Sequence, residues 1–87
     1  MKRFRVYKKI RVRHDLPLLE PEAASHLTKC GLTRAPGEPG YFNWNWTIEA
    51  TSSEEAGLVA EAKLQNILEP YGANYESVKS MIRPEQP

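Results

Sequence analysis

The residues with the most chemistry to offer lie at positions 3–13, RFRVYKKIRVR. The odd positions carry Arg3, Arg5, Tyr7, Lys9, Arg11 and Arg13. In an extended strand, residues two apart share a face and stand about 7 Å apart. Five cations and a tyrosine then form one stripe. Like charges in a row repel one another by at most about 1 kcal/mol per contact in water. Folding alone would not choose such a row. The chemistry it suits is anion binding, to a phosphate backbone or to an acidic protein surface. Arg outnumbers Lys four to one among these cations, and Arg makes the planar, bidentate contacts that carboxylate and phosphate favour. Two plainer purposes compete. A charged strand blunts an aggregation-prone sheet edge. Alternatively, Asn43, Asn45, Thr47 and Glu49 of a neighbouring strand could pair with the stripe across the ladder.

Other reactive side chains are few. His26 and Cys30 stand four apart, one turn of a helix, and form half of a metal site at best. Only His14 and Asp15 are on hand to complete it, and neither CxxC nor HExxH occurs. Cys30 reads more simply as a small core residue. His14, Asp15 and Cys30 do not show the spacing of a nucleophile, base and orienter. The segment Pro36-Gly37-Glu38-Pro39-Gly40 matches no phosphate-binding loop. Neither catalysis, a cofactor nor a metal is expected.

The whole-chain charge of +1 over 87 residues argues at first against an anionic partner. Its distribution argues the other way. Residues 1–13 hold seven of the twelve Lys and Arg and no acid, while residues 14–87 hold five against eleven acids. The chain is polarised. Cys30 is the single cysteine, so no internal disulfide can form and a reducing, cytoplasmic setting is expected. The basic N-terminus is followed by no apolar run of the kind a secretory signal carries. No stretch approaches the roughly 18 apolar residues of a membrane helix.

The elements that must position the stripe can be read from periodicity. Phe4, Val6, Ile10 and Val12 alternate with the odd positions, which predicts a half-buried strand. Lys8 is the misfit on the apolar side, to be explained by a sheet edge or a bulge. Pro17 and Pro21 end this strand. A short helix follows over 21–31, with Pro21 at its first turn, Gly31 at its C-terminal cap, and Leu19, Ala23, Leu27 and Cys30 on its inner face. Residues 35–40 are a loop. Tyr41 to Ala50 alternates again. Phe42, Trp44, Trp46, Ile48 and Ala50 lie on one side, and Tyr41, Asn43, Asn45, Thr47 and Glu49 on the other. Stacked aromatics on a sheet can hold RNA bases, but the apolar stripe of the next helix must cover something, and this is the largest apolar surface available. A core role is therefore expected for most of them, with one Trp at a rim. Ser52 and Glu55 are spaced as a capping box for a helix running to about Glu69. Ala56, Val59, Ala60, Leu64, Ile67 and Leu68 form its buried stripe. Residues 74–82 form a last strand of two open phases, either Val78, Ser80 and Ile82 inward or Tyr75, Ser77, Lys79 and Met81 inward. Residues 84–87 are expected to fray.

The expected fold is a single α+β domain over residues 1–83. It is a small two-layer sandwich in β-α-β-α-β order, with helices on one face of a three- or four-stranded sheet, in a reduced ferredoxin-like arrangement. The second helix crosses over and returns the chain parallel to the strand before it. The expected function is non-enzymatic docking of the basic sheet face on an acidic protein surface, as in an accessory subunit or a phage- or mobile-element-type inhibitor. Arg3, Arg5, Tyr7, Lys9, Arg11, Arg13, Tyr41, Asn43 and Asn45 would make that contact. The alternative is binding of RNA or single-stranded nucleic acid by the same face. A homodimer could also form by pairing across the exposed edge of the first or last strand.

Overall fold

Period-two alternation does build the first strand, β1, over Lys2–Val12. Phe4, Val6, Ile10 and Val12 are buried, while the odd positions are exposed or half-buried. The computed structural model describes residues 1–85. Two short helices follow, α1 (Leu16–Leu19) and α2 (Pro21–Lys29). Then come β2 (Leu32–Arg34), β3 (Tyr41–Ala50), α3 (Ser53–Leu68), a 3-10 turn (Glu69–Tyr71) and β4 (Tyr75–Pro84). The order is β-α-α-β-β-α-β, not the expected β-α-β-α-β. Both additions are short. Leu16–Leu19 is a single turn that buries Leu18. Leu32–Arg34 is a three-residue edge strand that buries Leu32. Neither is long enough to show a period in sequence.

The sheet has four strands in the order β2-β3-β1-β4, and every neighbouring pair is antiparallel. β3 and β4 therefore run parallel to each other with β1 between them. The crossover through α3 keeps the expected direction but skips one position in the sheet. β1 is central, so its edges are both closed. The free edges belong to β4 on one side and, on the other, to the three-residue β2 and the part of β3 beyond its pairing with β2, which moves the expected edge pairing away from the first strand.

One face of the sheet carries the core. Phe4, Val6, Ile10, Val12, Phe42, Trp44 and Ile48 pack there against Leu18, Leu27, Leu64 and Leu68. The capping box at α3 is real but offset. Glu55 N–H donates to Ser52 Oγ at 3.2 Å, while the Glu55 carboxylate accepts from Thr51 N–H and Oγ1–H. Ala56, Ala60, Leu64 and Leu68 make the buried stripe, with Ile67 half-buried. Val59, expected inside, is 41% exposed. The small side chains of Ala56 and Ala60 let the helix lie close to the sheet, so the stripe is narrower than its composition suggests. Cys30, expected in the core, is only half-buried.

Lys8 is neither at an edge nor at a bulge. It sits on the central strand, 7% exposed, on the helix side. Its Nζ donates to Glu61 Oε2 at 2.9 Å, and Tyr75 Oη donates to Glu61 Oε1 at 2.8 Å. The misfit in the alternation is thus a cation brought inside to bind three elements together. Its carboxylate partner is held below the ordinary range, first by the Lys8 hydrogen bond and then by that of Tyr75. Burial, followed by the bond to Glu61, pushes the Tyr75 phenol up and keeps it neutral. Because the folded-state carboxyl value is depressed, this contribution to stability is complete above the ordinary value of 4.5. It is lost as the pH falls below that range. Glu61→Ala leaves Lys8 buried without its anion and is expected to cost about 2 kcal/mol. That is less than the 3–5 kcal/mol of a fully enclosed pair, because water reaches Glu61. The double change Lys8→Met with Glu61→Gln removes both charges and is expected to recover most of the loss. Urea titration of the three proteins at pH 7 checks this. Equal losses in the single and double variants would refute it.

β4 resolves the two open phases by using both. Lys9 faces Lys79, whereas Ile10 faces Ser77, so Val78 is an extra residue in the ladder. Beyond this bulge, Ser80 and Ile82 lie opposite the inward Lys8 and Val6; before it, Ser77 and Tyr75 lie opposite the inward Ile10 and Val12. Val78 itself is 52% exposed. The strand runs to Pro84, and Glu85 N–H donates to Arg3 O at 2.8 Å. The fray expected from residue 84 therefore does not begin at Pro84 or Glu85. Residues 86–87 lie outside the described residues.

Candidate functional site

The helix-free face of the sheet collects the odd positions of β1. The register sets Arg3 beside Glu49, Arg5 beside Thr47, Tyr7 beside Asn45, Lys9 beside Asn43 and Arg11 beside Tyr41. Of the nine expected contact residues, eight are thus side by side on one face. Arg13 is the exception. β1 ends at Val12, and Arg13 follows the strand, its N–H donating to Asn74 O.

The two ends of the stripe are partly neutralised. Arg3 lies 4.0 Å from Glu49 and 3.7 Å from Glu85, and Arg5 lies 4.0 Å from Glu85. At the far end Arg11 lies 3.8 Å from Glu76, and Lys9 pairs with Glu38 of the β2–β3 loop. The hydrogen bond to Glu38 is the main cause that raises the Lys9 ammonium above its ordinary range. Exposed pairs of this kind contribute little stability. The expectation of cross-ladder pairing is met by Glu49, beside Arg3, and by Asn43, which accepts from Tyr7, while the other acids come from outside β3.

Three further residues join the face from β4, and the sequence reading did not assign them to it. Arg83 stands directly opposite Arg5, Met81 opposite Tyr7 and Lys79 opposite Lys9. Lys79 and Arg83 do alternate in the sequence, but the bulge at Val78 sets this stretch out of phase with residues 75–77, so no single phase for the strand places them. Directly opposed like charges destabilise a sheet, and this face has two such pairs. Among the described residues, neither Arg83 nor Lys79 has a carboxylate within ion-pair distance. The two cation pairs bracket the half-buried Tyr7 and Met81. A shallow concavity at the same place is lined by Arg5, Tyr7, Asn45, Thr47, Met81 and Arg83.

The aromatic rings are mostly committed elsewhere. Trp44 is fully buried and its Nε1–H donates to Cys30 O at 2.9 Å. Trp46 lies on the helix side at the rim, with Lys63 Nζ 5.1 Å from its ring centre. Tyr41 is flanked by Lys9 Nζ at 5.3 Å and the Arg11 guanidinium at 6.0 Å. Tyr7 Oη donates to Asn43 Oδ1 at 2.8 Å, which fixes its ring on the open face. Stacking of successive bases needs several free ring faces, and Tyr7 is the aromatic best placed to offer one.

His26 Nε2 and Cys30 Sγ do meet, at 3.8 Å. Among the described residues, no group of three or more His, Cys, Asp and Glu gathers as metal ligands would. No helix among these residues is long and apolar enough to cross a membrane. No protein-family model, curated protein or solved structure matches the chain.

Proposed function

We propose that this chain is a small, non-enzymatic docking module that lays its helix-free sheet face on an acidic protein surface. An accessory subunit or an inhibitor of the phage or mobile-element type would work in this way. The observation that carries the reading is the pair of opposed like charges, Arg5 with Arg83 and Lys9 with Lys79. Such pairs cost stability in the free protein; Glu85 and Glu38 stand beside only one member of each, Arg5 and Lys9, so a bound anion is the natural source of compensation for Arg83 and Lys79. Tyr7 and Met81 between them supply the apolar contact that charges alone lack, and Arg, Tyr and Met are residues that interfaces favour. The engagement of Tyr41 by two cations and the burial of Trp44 favour protein over nucleic acid as the partner.

We read the fold as ferredoxin-like, with α1 and α2 together filling the place of the first helix. The strand order β2-β3-β1-β4 and the antiparallel pairing throughout support this. The lone thiol of Cys30 supports a cytoplasmic setting.

The test uses the exposed β4 cations. The double variant Lys79→Gln, Arg83→Gln is expected to be more stable than the parent by about 0.5 kcal/mol, because repulsion is removed. It is also expected to lose most of its affinity for poly-glutamate at low salt. Denaturant titration and calorimetry measure the two effects. Unchanged affinity, or tighter binding of single-stranded oligonucleotides than of poly-glutamate, would refute the reading.

A further inference from the structure

The acidic docking surface has a readable shape, if the docking reading holds. Along β1, Arg5, Tyr7 and Lys9 repeat as cation, apolar group, cation. Arg83, Met81 and Lys79 repeat the same order on β4, directly alongside. The result is two parallel columns of like composition. Adjacent strands lie about 4.8 Å apart, so the doubled stripe with its side chains is about as wide as one α-helix, whose diameter is about 10–12 Å. On one flank runs the neutral column of Asn43, Asn45 and Thr47 on β3. On the other is the free edge of the sheet.

Spacing along the stripe is equally restrictive. From Arg5 to Lys9 is four strand residues, or about 13 Å. On a helix, positions i, i+4 and i+8 share one face, and the outer two are separated by about 12 Å. The long side chains of Arg and Lys absorb the difference. We propose that the occupant of this face is an amphipathic helix of a partner protein, lying along β1 and β4, with an acid at i, an apolar residue at i+4 and an acid at i+8. One carboxylate is shared by Arg5 and Arg83, the other by Lys9 and Lys79, and the apolar residue rests on Tyr7 and Met81. A single extended segment would cover one column and leave the second pair of cations unmatched. Within this register Arg5 already stands 4.0 Å from Glu85 and Lys9 pairs with Glu38, so the cations that await a carboxylate are Arg83 and Lys79, for which none of the described residues supplies one.

The test uses the full chain, isotope-labelled, and two synthetic helical peptides about fifteen residues long. The first has Glu at i and i+8 around Leu at i+4. The second has the same composition with both Glu moved to i+2 and i+6, on the opposite face from Leu. The first is expected to bind at least about tenfold more tightly and to shift the amide signals of Arg5, Tyr7, Lys9, Lys79, Met81 and Arg83. The difference between peptides is expected to vanish in the Lys79→Gln, Arg83→Gln variant, whose fold is checked by its spectrum. Equal binding of both peptides would overturn the helical register while leaving acidic docking standing. Binding of neither peptide would overturn both, and selective binding of a single-stranded oligonucleotide would do the same.

Discussion

Trp44→Ala is expected to lower the unfolding free energy by about 3–5 kcal/mol, the range for emptying a large aromatic site in a core. Trp44 has no exposed surface, faces Leu32 across the β2–β3 ladder and anchors its indole N–H on Cys30 O. The substitution removes the ring, the hydrogen bond and the packing between the end of α2 and the sheet in one step. A small domain has only about 5–15 kcal/mol in total, so the substitution removes a large share of its stability. Circular dichroism against urea measures the effect. A loss under about 1 kcal/mol would show that the corner is not the keystone of the core.

Gly31→Ala is expected to cost about 3 kcal/mol, from two sources at one position. Gly31 has φ +88, a left-handed conformation that costs an L-residue about 1–2 kcal/mol. An added Cβ would also stand 2.3 Å from Asn45 O and 2.8 Å from Cε3 of the Trp46 ring. The first of these is backbone and cannot swing aside, so overpacking adds about 1–2 kcal/mol. The contact exists because Asn45 N–H donates to Gly31 O, drawing the end of α2 tightly onto β3. Unfolding by heat or denaturant measures the change. A variant as stable as the parent would mean that the corner can open without loss.

Much of this architecture is legible in the residues. β1, α2, β3 and α3 follow from alternation, from helical spacing and from Pro21, Ser52 and Gly31 at the ends. The basic stripe is legible for the same reason, since period two in a strand decides the face. What escapes is what periodicity cannot carry. β2 and α1 are too short to repeat anything. The bulge at Val78 breaks one strand into two half-strands of opposite phase, so neither phase is right over its whole length. That one insertion conceals half of the proposed contact surface. Lys8 escapes for a third reason. Its burial depends on a carboxylate of α3 and a phenol of β4, remote in sequence and adjacent only after folding.

The position of β1 in the sheet also bears on how the molecule is made. β1 is bonded on both sides, yet both of its partners come later in the chain. During synthesis it must wait, with neither edge paired, first for residues 41–50 and then for residues 75–84. A waiting strand with Phe4, Val6, Ile10 and Val12 on one side is a hazard, since such a segment pairs readily with its like in a neighbouring nascent chain. Its odd-numbered cations make that encounter repulsive, which is the work of gatekeeper residues. The strand that the finished sheet places at its centre is therefore the one most in need of protection on the ribosome, and it carries its own.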